Sequence, residues 1–168
     1  PPPHYSSRRQ GQMCIRDRNH TGTEAISATR RDVSCGQNDE YWLVVATGEY
    51  EYGIYLINDA GINLSNTQTF HPAGRTNEFT HTGNSAFSPN GTQYVNSNFR
   101  EFLLYDFDKV NGVLSNQRWF KQPPGSATGL NYYGFSFSPN SQVLYATMYG
   151  AGFGAGTKNR IIQYDITA

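Results

Sequence analysis

Ala86-Phe87-Ser88-Pro89-Asn90-Gly91 recurs fifty residues later as Ser136-Phe137-Ser138-Pro139-Asn140-Ser141. Ser-Pro-Asn-Gly is turn chemistry: proline fixes φ at the second position, and Asn and Gly accept the bends that follow. Each copy leads into a strand-like run, Gln93-Tyr94-Val95 or Val143-Leu144-Tyr145-Ala146. Each then reaches an apolar strand closing on Asp, Phe102-Leu103-Leu104-Tyr105-Asp106 or Ile161-Ile162-Gln163-Tyr164-Asp165. The same offset works backwards. Leu64-Ser65-Asn66 answers Leu114-Ser115-Asn116, Tyr55 answers Tyr105, and Tyr41-Trp42-Leu43-Val44-Val45-Ala46 fills the preceding strand position. Asn58-Asp59-Ala60-Gly61 and Asp108-Lys109-Val110-Asn111-Gly112 supply matching turns.

Four short strands in about fifty residues, repeated in register, are the layout of a propeller blade. A sandwich would not keep the same turn at constant spacing. The repeat therefore predicts an all-β fold, a β-propeller fragment of about three four-stranded blades with the last incomplete. Their spans are roughly 24–80, 81–131 and 132–168 within a propeller region 19–168. Blades bury their faces against neighbours, and rings usually close with four to eight. The expected partners accordingly include the remaining blades of the same parent chain.

Composition agrees. Only 15% of the 168 residues are charged, against 14% aromatic and 17 glycines, which favours strands and tight turns over helices. No run approaches the apolar length of a membrane-spanning helix, so no membrane span is expected.

The N-terminal segment reads differently. Gln12-Met13-Cys14-Ile15-Arg16-Asp17-Arg18 is the translation of a transposase-type sequencing adapter, and Arg8-Arg9-Gln10 fits the bases upstream of it. Residues 1–18 are therefore expected to be non-native and disordered, outside the fold. Setting them aside leaves nine basic and twelve acidic side chains, a formal charge of −3. That balance argues against a nucleic-acid partner, which needs a basic patch. Cys35 is then a lone cysteine and gives neither an intrachain disulfide nor a thiolate zinc site.

The Phe-Ser-Pro-Asn turns, Leu104-Tyr105-Asp106-Phe107-Asp108 with Asn111-Gly112-Val113-Leu114-Ser115-Asn116, Tyr133-Gly134-Phe135, and the closing Ile162-Gln163-Tyr164-Asp165-Ile166 carry a family likeness. They resemble the N-terminal propellers of large secreted proteins of gliding bacteria, which bear a C-terminal sorting domain for type IX secretion. Asp39-Glu40-Tyr41-Trp42-Leu43-Val44 and Ala60-Gly61-Ile62 fit the segment that precedes these blades in that group. The resemblance spans roughly residues 20–168. It implies an extracellular or cell-surface scaffold that binds protein or glycan.

No catalytic constellation stands out. Asp106, Asp108, Asn111 and Gly112 glance towards a calcium loop, but Val110 and Gln117 occupy positions where an EF-hand needs ligands. They read as a turn. His20, His71 and His81 are isolated, and neither a nucleophile elbow nor a phosphate loop is present. We therefore assign no catalytic residue, no metal ligand and no cofactor. Asn19, Asn63 and Asn90 head glycosylation-type triplets that turn geometry already explains for the last two.

The unusual segment is Tyr149-Gly150-Ala151-Gly152-Phe153-Gly154-Ala155-Gly156-Thr157-Lys158, which widens the Asp106-to-Asp165 spacing to 59 residues. Inserted loops are where repeat scaffolds place binding function. Tyr149, Gly152, Phe153, Gly154 and Lys158 are the candidate ligand-contacting residues. The leading expectation is a non-enzymatic binding scaffold. The alternatives are a lactonase-like propeller hydrolase, with His, Asp, Glu or Arg converging at one mouth, and an intracellular scaffold.

Overall fold

The computed structural model describes residues 25–33, 39–48, 50–70, 84–97, 100–123, 130–150 and 159–167. Among them, strands β1 (Ile26–Arg30), β2 (Tyr41–Gly48), β3 (Glu51–Asn58) and β4 (Gly61–Thr69) form one sheet in that order. Strands β5 (Ser85–Phe87), β6 (Gln93–Ser97), β7 (Glu101–Asp108) and β8 (Val113–Lys121) form the second. The third contains β9 (Leu130–Phe137), β10 (Val143–Gly150) and β11 (Arg160–Asp165). Every pairing is antiparallel between chain neighbours. These are three consecutive blades of a β-propeller, the third with three strands among the described residues. The first strands, β1, β5 and β9, meet one another along the inner edge. β9 opens slightly ahead of the boundary at 132, because Leu130 and Asn131 pair with Gly150 and Tyr149.

Pairing register confirms the repeat residue by residue. Val44 faces Ile54, Val95 faces Leu104, and Tyr145 faces Gln163 across the second and third strands. On the opposite sheet face Leu43 pairs with Tyr55, Tyr94 with Tyr105, and Leu144 with Tyr164. The second sheet therefore has one face turned to the first sheet and the other to the third. Two cores result. Trp42, Val44, Ala46, Tyr52 and Ile54 of the first sheet pack on Tyr94, Leu103, Tyr105 and Phe107 of the second. Val95, Phe102 and Leu104 of the second pack on Tyr132, Phe137, Leu144, Met148 and Ile166 of the third. Phe102-Leu103-Leu104-Tyr105 is buried throughout because β7 is covered on both faces.

The turns repeat as faithfully. Ser88 Oγ donates to Asn90 Oδ1 at 2.7 Å and accepts from Gln93 N at 3.0 Å. Ser138 Oγ donates to Asn140 Oδ1 at 2.6 Å and accepts from Val143 N at 2.9 Å. Gly91 and its counterpart Ser141 both take positive φ, 73° and 59°. The turns cross the blade boundary too, since Asn90 N donates to Ser141 Oγ at 3.3 Å.

Alternating antiparallel strands divide the loops between two ends of each blade. One end holds the first-to-second and third-to-fourth turns, and it is clamped between blades. Trp42 Nε1 donates to the Lys109 carbonyl at 2.8 Å, Lys109 Nζ meets Asp32 Oδ1 at 2.8 Å, and the Arg31 guanidinium lies 5.4 Å from the Trp42 ring centroid. Arg118 fastens the next seam, pairing with Asp106 at 2.6 Å and donating to the Ile166 carbonyl at 3.2 Å. The opposite end carries the second-to-third hairpins and the links between sheets.

Candidate functional site

At that opposite end, β10 and β11 flank the Gly-rich insertion. Residues 151–158, including Gly152, Phe153, Gly154 and Lys158, lie outside the described residues. Tyr149 lies at the root of the hairpin, on β10, and borders a hollow of about 670 Å³. Its other walls are Tyr133, Thr147, Met148, Asn159, Arg160 and Ile161. That volume lies within the range of small-ligand sites, roughly 300–1,000 Å³.

The hollow is assembled by a slip in the pairing. β9 follows β10 in register up to Phe135–Ala146 and resumes at Tyr132–Met148, leaving Tyr133 and Gly134 opposite Thr147. Gly134 N donates to Thr147 Oγ1 at 2.9 Å, filling the gap on the polar side. Tyr133 turns outward, 54% exposed, and meets Tyr149 edge to face with centroids 5.4 Å apart. Its neighbour Tyr132 is buried, and its hydroxyl lies 2.5 Å from that of Tyr164. Burial holds the Tyr132 and Tyr164 phenols above the ordinary value.

Two aromatic edges, an exposed Ile161, a guanidinium and an amide line the hollow. Among the described residues, no group of three or more His, Cys, Asp and Glu side chains comes together. Of the residues around the hollow, the sequence reading named Tyr149 and did not name Tyr133, Thr147, Met148, Asn159, Arg160 or Ile161. Only the offset strand register brings these residues around one opening. The Tyr132-Tyr133 doublet was the available signal, because successive strand residues face opposite ways.

The Asp-rich turn is confirmed as a turn. Asp108 Oδ1 accepts from the backbone N–H groups of Val110 at 2.8 Å and Asn111 at 3.1 Å, and Oδ2 accepts from Asn111 Nδ2 at 2.7 Å. These donors, the Asn111 side chain first, hold the Asp108 carboxyl below its ordinary range. Asp106 is committed to Arg118 and Asn116. His20, His71, His81 and Cys35 lie outside the described residues.

No family model and no curated protein matches the chain. Among solved structures, a protein from Lactobacillus plantarum aligns with a TM-score of 0.50 and 14% identity over 82% of this chain. The chain spans 42% of that protein's length. At this identity the likeness concerns the fold, and it joins the repeat register in defining the class: a three-blade section of a β-propeller scaffold.

Proposed function

We propose that the chain is the binding scaffold of a secreted or cell-surface bacterial protein, of the group that gliding bacteria export by type IX secretion. Further blades of the parent chain complete the ring, and a glycan or protein segment is held at the loop end of the third blade. The observation that carries the binding role is the Tyr133–Tyr149 pair at the rim of the hollow, with Arg160 and Asn159 beside it. Tyrosines at such a site offer apolar faces and polar tips together. Arginine adds donors that a sugar hydroxyl or a peptide carbonyl accepts. Export rests on the motif resemblance.

A glycan microarray and a peptide library, each probed with the labelled chain, test this reading. We expect saturable binding that Tyr149→Ala and Arg160→Ala each weaken at least tenfold, or about 1.4 kcal/mol. Binding that survives both substitutions, or no ligand in either library, contradicts it.

A further inference from the structure

The two seams repeat in shape but not in polarity. Tyr52 of the first sheet and Phe102 of the second are equivalent, since each lies two residues before the matched Ile54 and Leu104 on the same sheet face. In the same way Asn96 of the second sheet, opposite Leu103, answers Ala146 of the third, opposite Ile162. Where the first seam has Tyr52 and Asn96, the second has Phe102 and Ala146. All four are buried, Tyr52 at 1% exposure and the others at 0%.

The polar atoms are partnered differently in the two seams. Tyr52 Oη accepts from Asn96 Nδ2 at 3.3 Å and from Tyr105 Oη at 3.2 Å, both from across the first seam. Gln117 Nε2 donates in turn to Tyr105 Oη at 3.0 Å. In the second seam Tyr164 takes the place of Tyr105, and its hydroxyl lies 2.5 Å from that of Tyr132 on its own sheet. Tyr132 Oη then donates to the Lys121 carbonyl at 3.3 Å. Phe102 meets Tyr132 and Tyr164 by its ring alone, with centroids 5.2 and 5.0 Å apart. At this level the first seam is joined by hydrogen bonds and the second by ring contact.

We propose that the Tyr52–Asn96–Tyr105 network is a sorting contact, which lets the first sheet accept the second and disfavours other stackings of these similar sheets. Repeats of one plan can stack in the wrong order, and repeat proteins misassemble in this way. Apolar burial is non-directional, so the apolar positions common to both seams cannot make the distinction. The network can. A first sheet seated on the third would bury Tyr52 Oη against Ala146, while the Tyr164 hydroxyl is already engaged with Tyr132. Phe102 seated on Asn96 and Tyr105 would leave two buried donors facing a ring. Each buried polar group without a partner shifts such an equilibrium roughly tenfold. A single buried polar residue fixes register and partner in coiled coils by the same physics. The inference concerns the seams and is independent of what the hollow binds.

A double-mutant cycle read by urea unfolding is the first arm of the test. Tyr52→Phe strands Asn96 Nδ2 and the Tyr105 hydroxyl, and should raise the unfolding constant about tenfold. Adding Asn96→Ala gives the first seam the residues of the second at both positions, and should recover about threefold or more of that loss. The second arm reads sorting apart from stability. Met148 packs in the second seam, and the only other methionine is Met13, so a methyl label reports on that seam cleanly. Wild-type chain refolded from urea should give a single Met148 methyl signal. The refolded double variant should add a second signal, from chains stacked in the wrong order. Strictly additive substitutions, or a double variant that refolds to the single wild-type signal, would overturn the inference.

Discussion

Gly112 shows how much one position can carry. Its φ of 68° lies where only glycine is free of Cβ strain, and a Cβ there would stand 2.7 Å from two carbons of the Trp42 ring. Left-handed strain costs roughly 1–2 kcal/mol for an L-residue. Displacing Trp42 also weakens its bond to the Lys109 carbonyl. Gly112→Ala should therefore lower stability by about 2–4 kcal/mol, read from urea midpoints at unchanged m-value. A loss near zero would mean that the indole does not close the first seam. Tyr52, Tyr94 and Tyr105 form a second residue-scale device. Tyr105 Oη donates to Tyr52 Oη at 3.2 Å, and Asn96 Nδ2 donates to the same oxygen at 3.3 Å. Burial, ahead of every other cause, pushes all three phenols above the ordinary value of about 10. The folded state then disfavours tyrosinate, so these groups contribute fully below about pH 10 and their contribution falls as pH rises beyond it. Tyrosinate absorbance from this cluster should appear together with loss of β structure in an alkaline titration. Ionisation of all three in a still-folded chain would contradict their burial.

The Ser-Pro-Asn turn links sequence to element. Ser88 and Ser138 are 3% and 8% exposed, and each hydroxyl both donates and accepts to close the first-to-second strand connection. Removing the hydroxyl leaves buried backbone donors short of a partner, at about 1–3 kcal/mol each. Ser88→Ala and Ser138→Ala should show similar losses in thermal or urea unfolding, because the turns are built alike. A loss at only one would break their equivalence. These elements were legible in the chain because the chemistry is local: proline sets φ, Asn accepts nearby N–H groups, and the strands beyond alternate faces. The hollow was not. The repeat announced the return of β11, but Tyr133 and Arg160 share a hollow with Tyr149 only after β9 slips against β10, and beyond the Tyr132-Tyr133 doublet that slip has no residue signature. Trp42 was legible as a strand residue, but its seat on Gly112 required the neighbouring blade.

At the scale of the molecule, stability lies in the two seams. Each sheet alone would expose aromatic rings that a neighbouring sheet covers, and these rings recur at matching places in both seams. The clamps at the turn end, Trp42 with Lys109 and Arg118 with Asp106 and Ile166, add direction to non-directional burial. Their partly exposed ion pairs add little energy of their own. The stacking is therefore the claim to test. Aromatic NOE spectroscopy on selectively labelled chain reads both seams at once. The account predicts cross-peaks from Tyr52 to Tyr105 across the first seam and from Phe102 to Tyr164 across the second, whose ring centroids lie 5.3 and 5.0 Å apart. Cross-peaks confined to pairs within single sheets would contradict it.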